Sequence, residues 1–577
     1  MEHRCSAAGP AALLPHRRFQ ADGETYVYAA ETGGLFRADE DVRDALSALA
    51  ASADAAVPPE VVSDLLRAGL LQRGGRPARP GRIAPPALAL RTLVLMLTES
   101  CNLSCRYCYE ACEAHGSPPA GAGGTAREMS AETFLRCVEF LLDASGESRS
   151  LSVVLFGGEP LLRFPLLRAA VPQAMAMTGE RGREISFSLT TNGTLITDEI
   201  AEFLGRNGIS VCVSIDGPPE VHDLNRPYGS GRGSYADVAR GISRLMKYRN
   251  GRPLAARVTL GGGAADVGGT FEHLRELGFD EVGFAPASAA EGSPAALAEE
   301  ELDRVMEGFR ELASRYESDV RERRMPAFSN MTQILALIHR GEPMPYPCGA
   351  GIGMLAADPS GTFYPCHRLC GVGDALGDRE RGIAVDVRNR FLDRARKRRE
   401  PACEPCWAKN FCSGGCYHDA YLRQGDLFAP STHYCRWIRE LFLLGLQTYV
   451  RIQNETPTFL DGPVRRKGDC MKHLKPVNRK AKAIGKDSGD PPVVEAQGTI
   501  PFMHTCTSVF NPGYEIDWTG STKQLCTPIE TDLFGTTDMY CWWPGQAPDT
   551  YNNPDWNADC TRAMKDWMKL KVVKPEW

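Results

Sequence analysis

The stretch TESCNLSCRYCYE, residues 98–110, places Cys101, Cys105 and Cys108 directly after the apolar run LVLML. Thiols at this spacing cannot all pair with one another as disulfides, but they can hold one metal centre. Thiolates favour soft metals, either zinc or iron in a sulfur cluster. Zinc asks for four ligands, whereas a cluster with only three protein ligands leaves one iron open for a small molecule. A second set of cysteines lies further on. Cys348, Gly361 and Cys366 form C-x12-G-x4-C, CEPCWAKNFCSGGC gives C-x2-C-x5-C-x3-C at Cys403, Cys406, Cys412 and Cys416, and Cys435 follows. Twenty cysteines in one chain read, in a reducing compartment, as metal-binding or catalytic rather than disulfide-bonded. Cys5, Cys112, Cys137 and Cys212 show no ligand spacing and read as ordinary thiols.

The elements that must position these groups are readable from periodicity. From about residue 90 to 325, short apolar runs (RTLVLML, SLSVVLF, EISFSLTTN, ISVCVSID, AARVTL, EVGFAPA) alternate with amphipathic stretches. That alternation predicts a parallel sheet with right-handed crossovers, either doubly wound or a partial barrel. In a barrel, chemistry sits at the C-terminal ends of the strands, and the first three cysteines fall just past the first strand. Residues 326–452 are cysteine-rich and weakly periodic until the helix RWIRELFLLGLQTYV, which suits a domain held by metal in place of a large apolar core. Ahead of the barrel, TYVYAAETGGLFRA predicts a small strand pair, and DEDVRDALSALAAS and PPEVVSDLLRAGLLQ predict two helices; RGGRPARPGRIAPP is a linker.

The 577 residues are 43% apolar and 24% charged, with net charge -6. The chain can bury real cores, and this charge argues against a general nucleic-acid binder. It has neither an apolar run of the roughly 20 residues needed to span a membrane nor a signal-peptide core at its start, so the expected location is the cytoplasm. Composition breaks near Met471. Before it, lysine is confined to Lys247, Lys397, Lys409 and Lys467; after it the chain opens MKHLKPVNRKAKAIGK and stays lysine-rich. The break reads as a junction between two once-independent proteins, with a lysine-rich tail of a single protein as the alternative.

The spacing C-x3-C-x2-C, with Tyr107 before the last cysteine, resembles the radical S-adenosylmethionine (SAM) enzymes. Motifs at successive strand ends agree: GGEP at Gly157–Pro160, TNG at Thr191–Gly193, SIDG at Ser214–Gly217, and HDLNR ending at Arg226. The resemblance implies a [4Fe-4S] cluster on Cys101, Cys105 and Cys108 whose open iron binds SAM. It also implies a cofactor site of Tyr107, Gly157, Gly158, Glu159, Asn192, Ser214, Asp216 and Arg226, with Arg226 suited to the SAM carboxylate. One-electron reduction of SAM in that family gives a 5'-deoxyadenosyl radical; the cofactor brings the chemistry and the protein the orientation. The later cysteines resemble the SPASM extension of peptide-modifying members. That likeness implies one auxiliary cluster on Cys403, Cys406, Cys412 and Cys435 and another on Cys348, Cys366 and Cys416. The fourth position of the latter is left between Cys370 and an open iron, and two zinc sites are the alternative for the region. Asp419 and His367 are the candidate proton acceptors, Asp419 preferred, although an aspartate there also suits a helix start. A flavodoxin- or ferredoxin-type donor would supply electrons.

Residues 500–577, with CWWPGQAPDT as their most distinctive stretch, resemble the small gamma subunit of quinohemoprotein amine dehydrogenase. In that family cysteine sulfur is joined to Asp or Glu side-chain carbon by thioether bonds. The implied pairs here are Cys506 with Glu515, Cys526 with Asp532, and Cys541 with Asp549. The family's tryptophylquinone is put in doubt, because Trp543 is present but position 537 is threonine; Cys560 is extra. A disulfide mini-domain is the alternative for this tail.

The expected architecture is therefore α/β: a small N-terminal α+β recognition domain (1–85), a partial (β/α)6 TIM-like radical SAM barrel (90–325), a SPASM domain (326–452), a linker (453–470), a leader-like segment (471–499) and a loop-rich gamma-subunit-like segment (500–577). The recognition domain resembles a leader-binding module; its exposed strand edge could add a peptide strand, and its acidic run ADEDVRD would attract a basic leader. The expected function is thioether formation in a peptide substrate, the chain's own tail or a free gamma subunit. Oxidation of a Ser or Cys side chain is the second hypothesis, and a non-catalytic iron-sulfur carrier or zinc scaffold the third.

Overall fold

The computed structural model describes residues 11–480, apart from 74–85, 87, 111–125, 263–265, 291, 342–343, 398–402, 458, 460–472 and 479. All six implied crosslink residues, Cys506, Glu515, Cys526, Asp532, Cys541 and Asp549, lie outside the described residues.

The N-terminal domain comprises β1 (Ala11–Leu13), β2 (His16–Ala21), β3 (Glu24–Ala29), β4 (Leu35–Ala38), α1 (Glu40–Ala51), α2 (Pro59–Arg67) and β5 (Leu71–Arg73). The β2–β3 turn is Asp22-Gly23, both at positive φ, as a two-residue hairpin requires. Asp39 caps α1 by accepting the Val42 N–H at 3.1 Å, and α2 opens on Pro59. Val27, Phe36, Val42, Leu46, Val61 and Leu65 form its core. The expected strand pair, β3 and β4, belongs to a three-stranded antiparallel unit, because HRRFQA ahead of it forms β2 and pairs with β3.

The barrel strands and helices follow in alternation: β6 (Thr92–Met96), α3 (Ala131–Ala144), β7 (Ser150–Phe156), α4 (Phe164–Glu180), β8 (Glu184–Thr191), α5 (Asp198–Arg206), β9 (Ser210–Ser214), α6 (Pro219–Asn225), α7 (Tyr235–Tyr248), β10 (Leu254–Leu260), α8 (Val267–Glu276), β11 (Glu281–Pro286) and α9 (Glu299–Arg321). Ser130, Thr197 and Asp266 cap α3, α5 and α8. The strands lie parallel in unbroken sequence order, β6 through β11. A doubly wound sheet would reverse direction at a switch point, so the order resolves the ambiguity in favour of a singly wound, barrel-type sheet.

The cysteine-rich region adds α10 (Ser329–Arg340), β12 (Met354–Ala357), β13 (Thr362–Tyr364), β14 (Gly377–Asp378), β15 (Gly382–Ile383), α11 (Val385–Lys397), α12 (Lys409–Cys412), α13 (Tyr417–Gln424) and α14 (Thr432–Glu455). It is more regular than its sequence suggests. Strand β12 joins β6 in parallel and carries three short antiparallel strands, so the sheet reaches ten strands. Helix α14 packs on α9 and α10, so closely that a Cβ on Gly445 would sit 2.1 Å from Ile334 Cγ2.

One strand comes from beyond the composition break. β16 (Leu474–Pro476) pairs antiparallel with β4, turning the N-terminal unit into a four-stranded sheet. No described helix is long and apolar enough to cross a membrane.

Candidate functional site

The loop after β6 carries Cys101, Cys105 and Cys108, and the turn after β7 is joined to it. The N–H of Gly158 donates to the Thr98 carbonyl at 2.9 Å, and that of Glu159 to the Ser100 carbonyl at 2.8 Å. A Cβ on Gly157 would lie 2.5 Å from the Thr98 oxygen, and one on Gly158 2.1 Å from the Ser100 oxygen. The glycine pair thus lets two backbones touch, which is the close approach glycine alone permits.

Glu159 is buried. Its oxygens accept from the Leu161 N–H (3.0 Å), the Thr191 hydroxyl (2.7 Å) and the Asn192 N–H (2.8 Å). These bonds tie the β7 turn to the end of β8. Burial still pushes its carboxyl up to about 7. Asn192 donates to Asn102 Oδ1 at 2.8 Å and points its amide at Cys101 Sγ, 3.9 Å away. Ser214 ends β9.

A buried ion pair closes the far side. Arg226 reaches Asp216 through Nε at 3.0 Å and Nη2 at 3.1 Å, with Asp216 fully enclosed. Asp216 also accepts from the Tyr107 hydroxyl and from the Thr259 N–H. The Arg226 guanidinium sits 5.2 Å from the Tyr107 ring centre and hydrogen-bonds Cys105. Below this pair lies His222. The Asp216 N–H points at its Nδ1, so Nε2 carries the proton and donates to Ser234 Oγ at 3.0 Å; Ser234 in turn donates to the Arg226 carbonyl at 2.6 Å. Burial lowers His222 to about 4.

Cys403, Cys406, Cys412 and Cys435 line one cavity with Lys409, Ile438 and Arg439. Arg439 hydrogen-bonds Cys406. Burial, with Cys435 and Cys403 adding, pushes the Cys412 thiol up to about 12. Cys366 is raised by burial and by the thiols of Cys348 and Cys416, and Cys370 by burial and by Cys366. Cys101 and Cys105 are likewise pushed up, chiefly by burial. Grouped thiols that resist ionisation by themselves are a donor set suited to a metal's positive charge. Burial raises the isolated thiol of Cys137 to about 12 as well, so it is the grouping of these thiols, not their titration, that would suit a soft metal or an iron-sulfur group.

The two candidate proton acceptors are placed differently. Asp419 is in the first turn of α13 and pairs with Arg423 at 3.4 Å, the bland helix-start arrangement. His367 is buried, with no hydrogen-bond partner for either ring nitrogen among the described residues, 4.6 Å centre to centre from Phe156; burial and Arg368 lower it to about 3. Sequence reading missed Glu110, whose carboxyl burial pushes up to about 7 and whose Oε1 accepts from the Tyr109 hydroxyl. The only signal was its place beside the third cysteine.

Residues 95–266 match the radical SAM superfamily, and residues 502–576 match the gamma subunit of quinohemoprotein amine dehydrogenase. A serine-type anaerobic sulfatase-maturating enzyme of Bacteroides thetaiotaomicron is 37% identical over 170 residues, 29% of this chain and 38% of that protein's length. Another, from Klebsiella aerogenes, is 28% identical over 334 residues, 55% of this chain and 77% of its own. The structure of native anSMEcpe with bound AdoMet and Cp18Cys peptide superimposes with TM-score 0.54 at 21% identity, covering 64% of this chain and 99% of that one; that likeness shows a common fold. Residues 95–266 form a radical SAM domain, which implies a [4Fe-4S] cluster and SAM.

Proposed function

We infer that the chain is a radical SAM maturase that joins Cys sulfur to Asp or Glu methylene carbon within the gamma-subunit-like segment it carries. The observation that carries this reading is the pair of matches on one polypeptide, a radical SAM domain at 95–266 and a gamma-subunit match at 502–576. Cys101, Cys105 and Cys108 would hold the SAM-binding cluster, Cys403, Cys406, Cys412 and Cys435 one auxiliary cluster, and Cys348, Cys366 and Cys416, with Cys370 beside them, another. When bound, the reduced cluster and SAM supply the power to remove a hydrogen atom from an unactivated C–H bond.

The protein's own residues set geometry. Glu159 and Asn192 fix the β8 end against the Cys101 loop. Arg226, anchored by Asp216, presents positive charge beside Cys105. Tyr107, held by Asp216, covers the same side. In the tail, each bond, for the pairs Cys506–Glu515, Cys526–Asp532 and Cys541–Asp549, would cost carbon one hydrogen atom, which leaves in 5'-deoxyadenosine, and sulfur one proton, with the remaining electron going to an oxidised iron-sulfur group or an acceptor protein.

The test is anaerobic incubation of reduced, iron-loaded protein with SAM, followed by tandem mass spectrometry of 502–576. Release of 5'-deoxyadenosine with crosslinked fragments at those pairs supports the reading; an inert nucleoside, or zinc at residues 101, 105 and 108, overturns it. Oxidation of a Ser or Cys side chain is the second reading, favoured by the serine-type relatives. Loss of hydrogen from one residue without a crosslinked fragment would establish it.

A further inference from the structure

Between Cys366 and Cys370 the chain makes a single 3-10 turn, His367–Leu369, whose first two residues are buried and basic: His367 is 1% and Arg368 8% exposed. Arg368 Nη1 donates to Ser288 Oγ at 2.6 Å, and its guanidinium carbon lies 4.8 Å from the Tyr109 ring centre. Ser288 follows β11, and Tyr109 follows Cys108 in the loop after β6. These are the last and first strands of the parallel series. One guanidinium therefore bridges the two ends of the series on the C-terminal side of the strands, where the active sites of barrel folds lie.

Its neighbours say what this charge can serve. It acts electrostatically on Cys366 and Cys416 and also on Glu110. Arg368 thus stands between the three-cysteine group and the loop that carries Cys101, Cys105 and Cys108. His367 reaches the same place, its ring 6.3 Å from that of Tyr109 and 4.6 Å from that of Phe156, the last residue of β7. Neither of its nitrogens has a hydrogen-bond partner among the described residues. Buried polar atoms are nearly always matched, so an unmatched imidazole beside a buried guanidinium marks a place for a polar ligand. A guanidinium keeps its charge at any working pH and offers a planar fork that fits a carboxylate. The Ser288 hydroxyl and the Tyr109 face hold that plane.

We propose that Arg368 is a specificity-determining residue that holds the side-chain carboxylate of the acidic residue to be modified. The assignment rests on the reading of 502–576 as substrate. The three acids implied there, Glu515, Asp532 and Asp549, each carry a methylene next to the carboxylate. Held by its carboxylate, either acid sets that methylene at the same distance from the guanidinium, and the extra carbon of Glu lies on the backbone side. One clamp therefore serves both acids. A neutral amide, which cannot form the charge-assisted pair, is refused.

Peptide affinity tests the clamp without turnover. The full chain is loaded with iron and SAM but given no reductant, and it carries Glu515→Gln, Asp532→Asn and Asp549→Asn so that its own tail does not compete. A synthetic peptide of residues 524–534 should bind roughly tenfold or more tighter than the same peptide with Asp532→Asn. Arg368→Gln should erase that preference with iron per chain unchanged. Ser288→Ala, which removes the hydroxyl that holds the guanidinium, should reduce it, and decides the matter alone if Arg368→Gln loses iron. No preference for the acidic peptide in the chain that keeps Arg368, or the same preference in both variants, overturns the proposal. With the natural tail and reductant, Arg368→Gln should also lower the number of crosslinks per 5'-deoxyadenosine released; an unchanged ratio would reduce Arg368 to a structural staple and overturn the proposal as well. A preference lost in Arg368→Gln, beside a natural tail that the unsubstituted enzyme never crosslinks, would count against the thioether reading alone.

Discussion

Asp216 bonds to Arg226, Tyr107 and the Thr259 backbone together, so its charge is the local counterweight to a buried guanidinium. Removing one partner of a buried pair costs about 3–5 kcal/mol. Asp216→Asn should lower the urea midpoint accordingly and weaken SAM binding in equilibrium dialysis, while iron content falls less. His222 gives a pH-dependent prediction. The unfolded chain gains a proton near pH 6.5, but the folded protein refuses it until about 4. Stability therefore falls as pH drops through that window, by about 1.4 kcal/mol per pH unit. His222→Gln should be less stable near neutral pH yet show a flatter decline on acidification, seen in urea midpoints at several pH values. The cysteine spacing was legible because ligand spacing is local. The Asp216–Arg226 pair was not, since it exists only once β9 and α6 turn the chain back on itself.

Among the elements, the six barrel strands were legible because each is a short run, mostly apolar or alternating apolar with polar, bounded by turn residues. Helices α10 and α11 were not. α11, VDVRNRFLDRARK, buries only Arg388, Leu392 and Ala395, so charge masks its period. The turn after β7 offers the clearest element-level test. Gly158→Ala would drive a methyl into the Ser100 backbone, and overpacking of this kind costs roughly 1–3 kcal/mol. The expected result is a displaced cysteine loop, with iron per chain reduced after anaerobic loading and the thermal midpoint lowered. An unchanged iron content would mean the β6 and β7 loops move independently.

At the scale of the whole molecule, enzyme and inferred substrate share one chain. Thioether yield per chain should then be independent of protein concentration over a broad dilution series, measured by peptide mapping; a yield that falls on dilution would mean that chains modify one another. The compositional break at Met471 was visible in the sequence. That the first residues past the break lie on the edge of β4 was not legible, because strand pairing across more than four hundred residues leaves no local signature.

The β3–β4 turn also grips the cysteine-rich loop. Lys409, 5% exposed on its side chain and lining the four-cysteine cavity, pairs with Glu31; Asn410 donates to the Ala30 carbonyl, and Phe411 stacks on Tyr28 at 4.8 Å. Truncating the protein before the barrel would therefore not be a clean amputation. It would strip the Lys409 ammonium of one of its two carboxylates, leaving Glu404, and the Phe411 ring of one of its two stacking neighbours, leaving Phe442, at the mouth of the four-cysteine cavity. A chain starting near residue 86 should lose iron from that cavity even if its barrel folds, and its inactivity would say little about substrate capture.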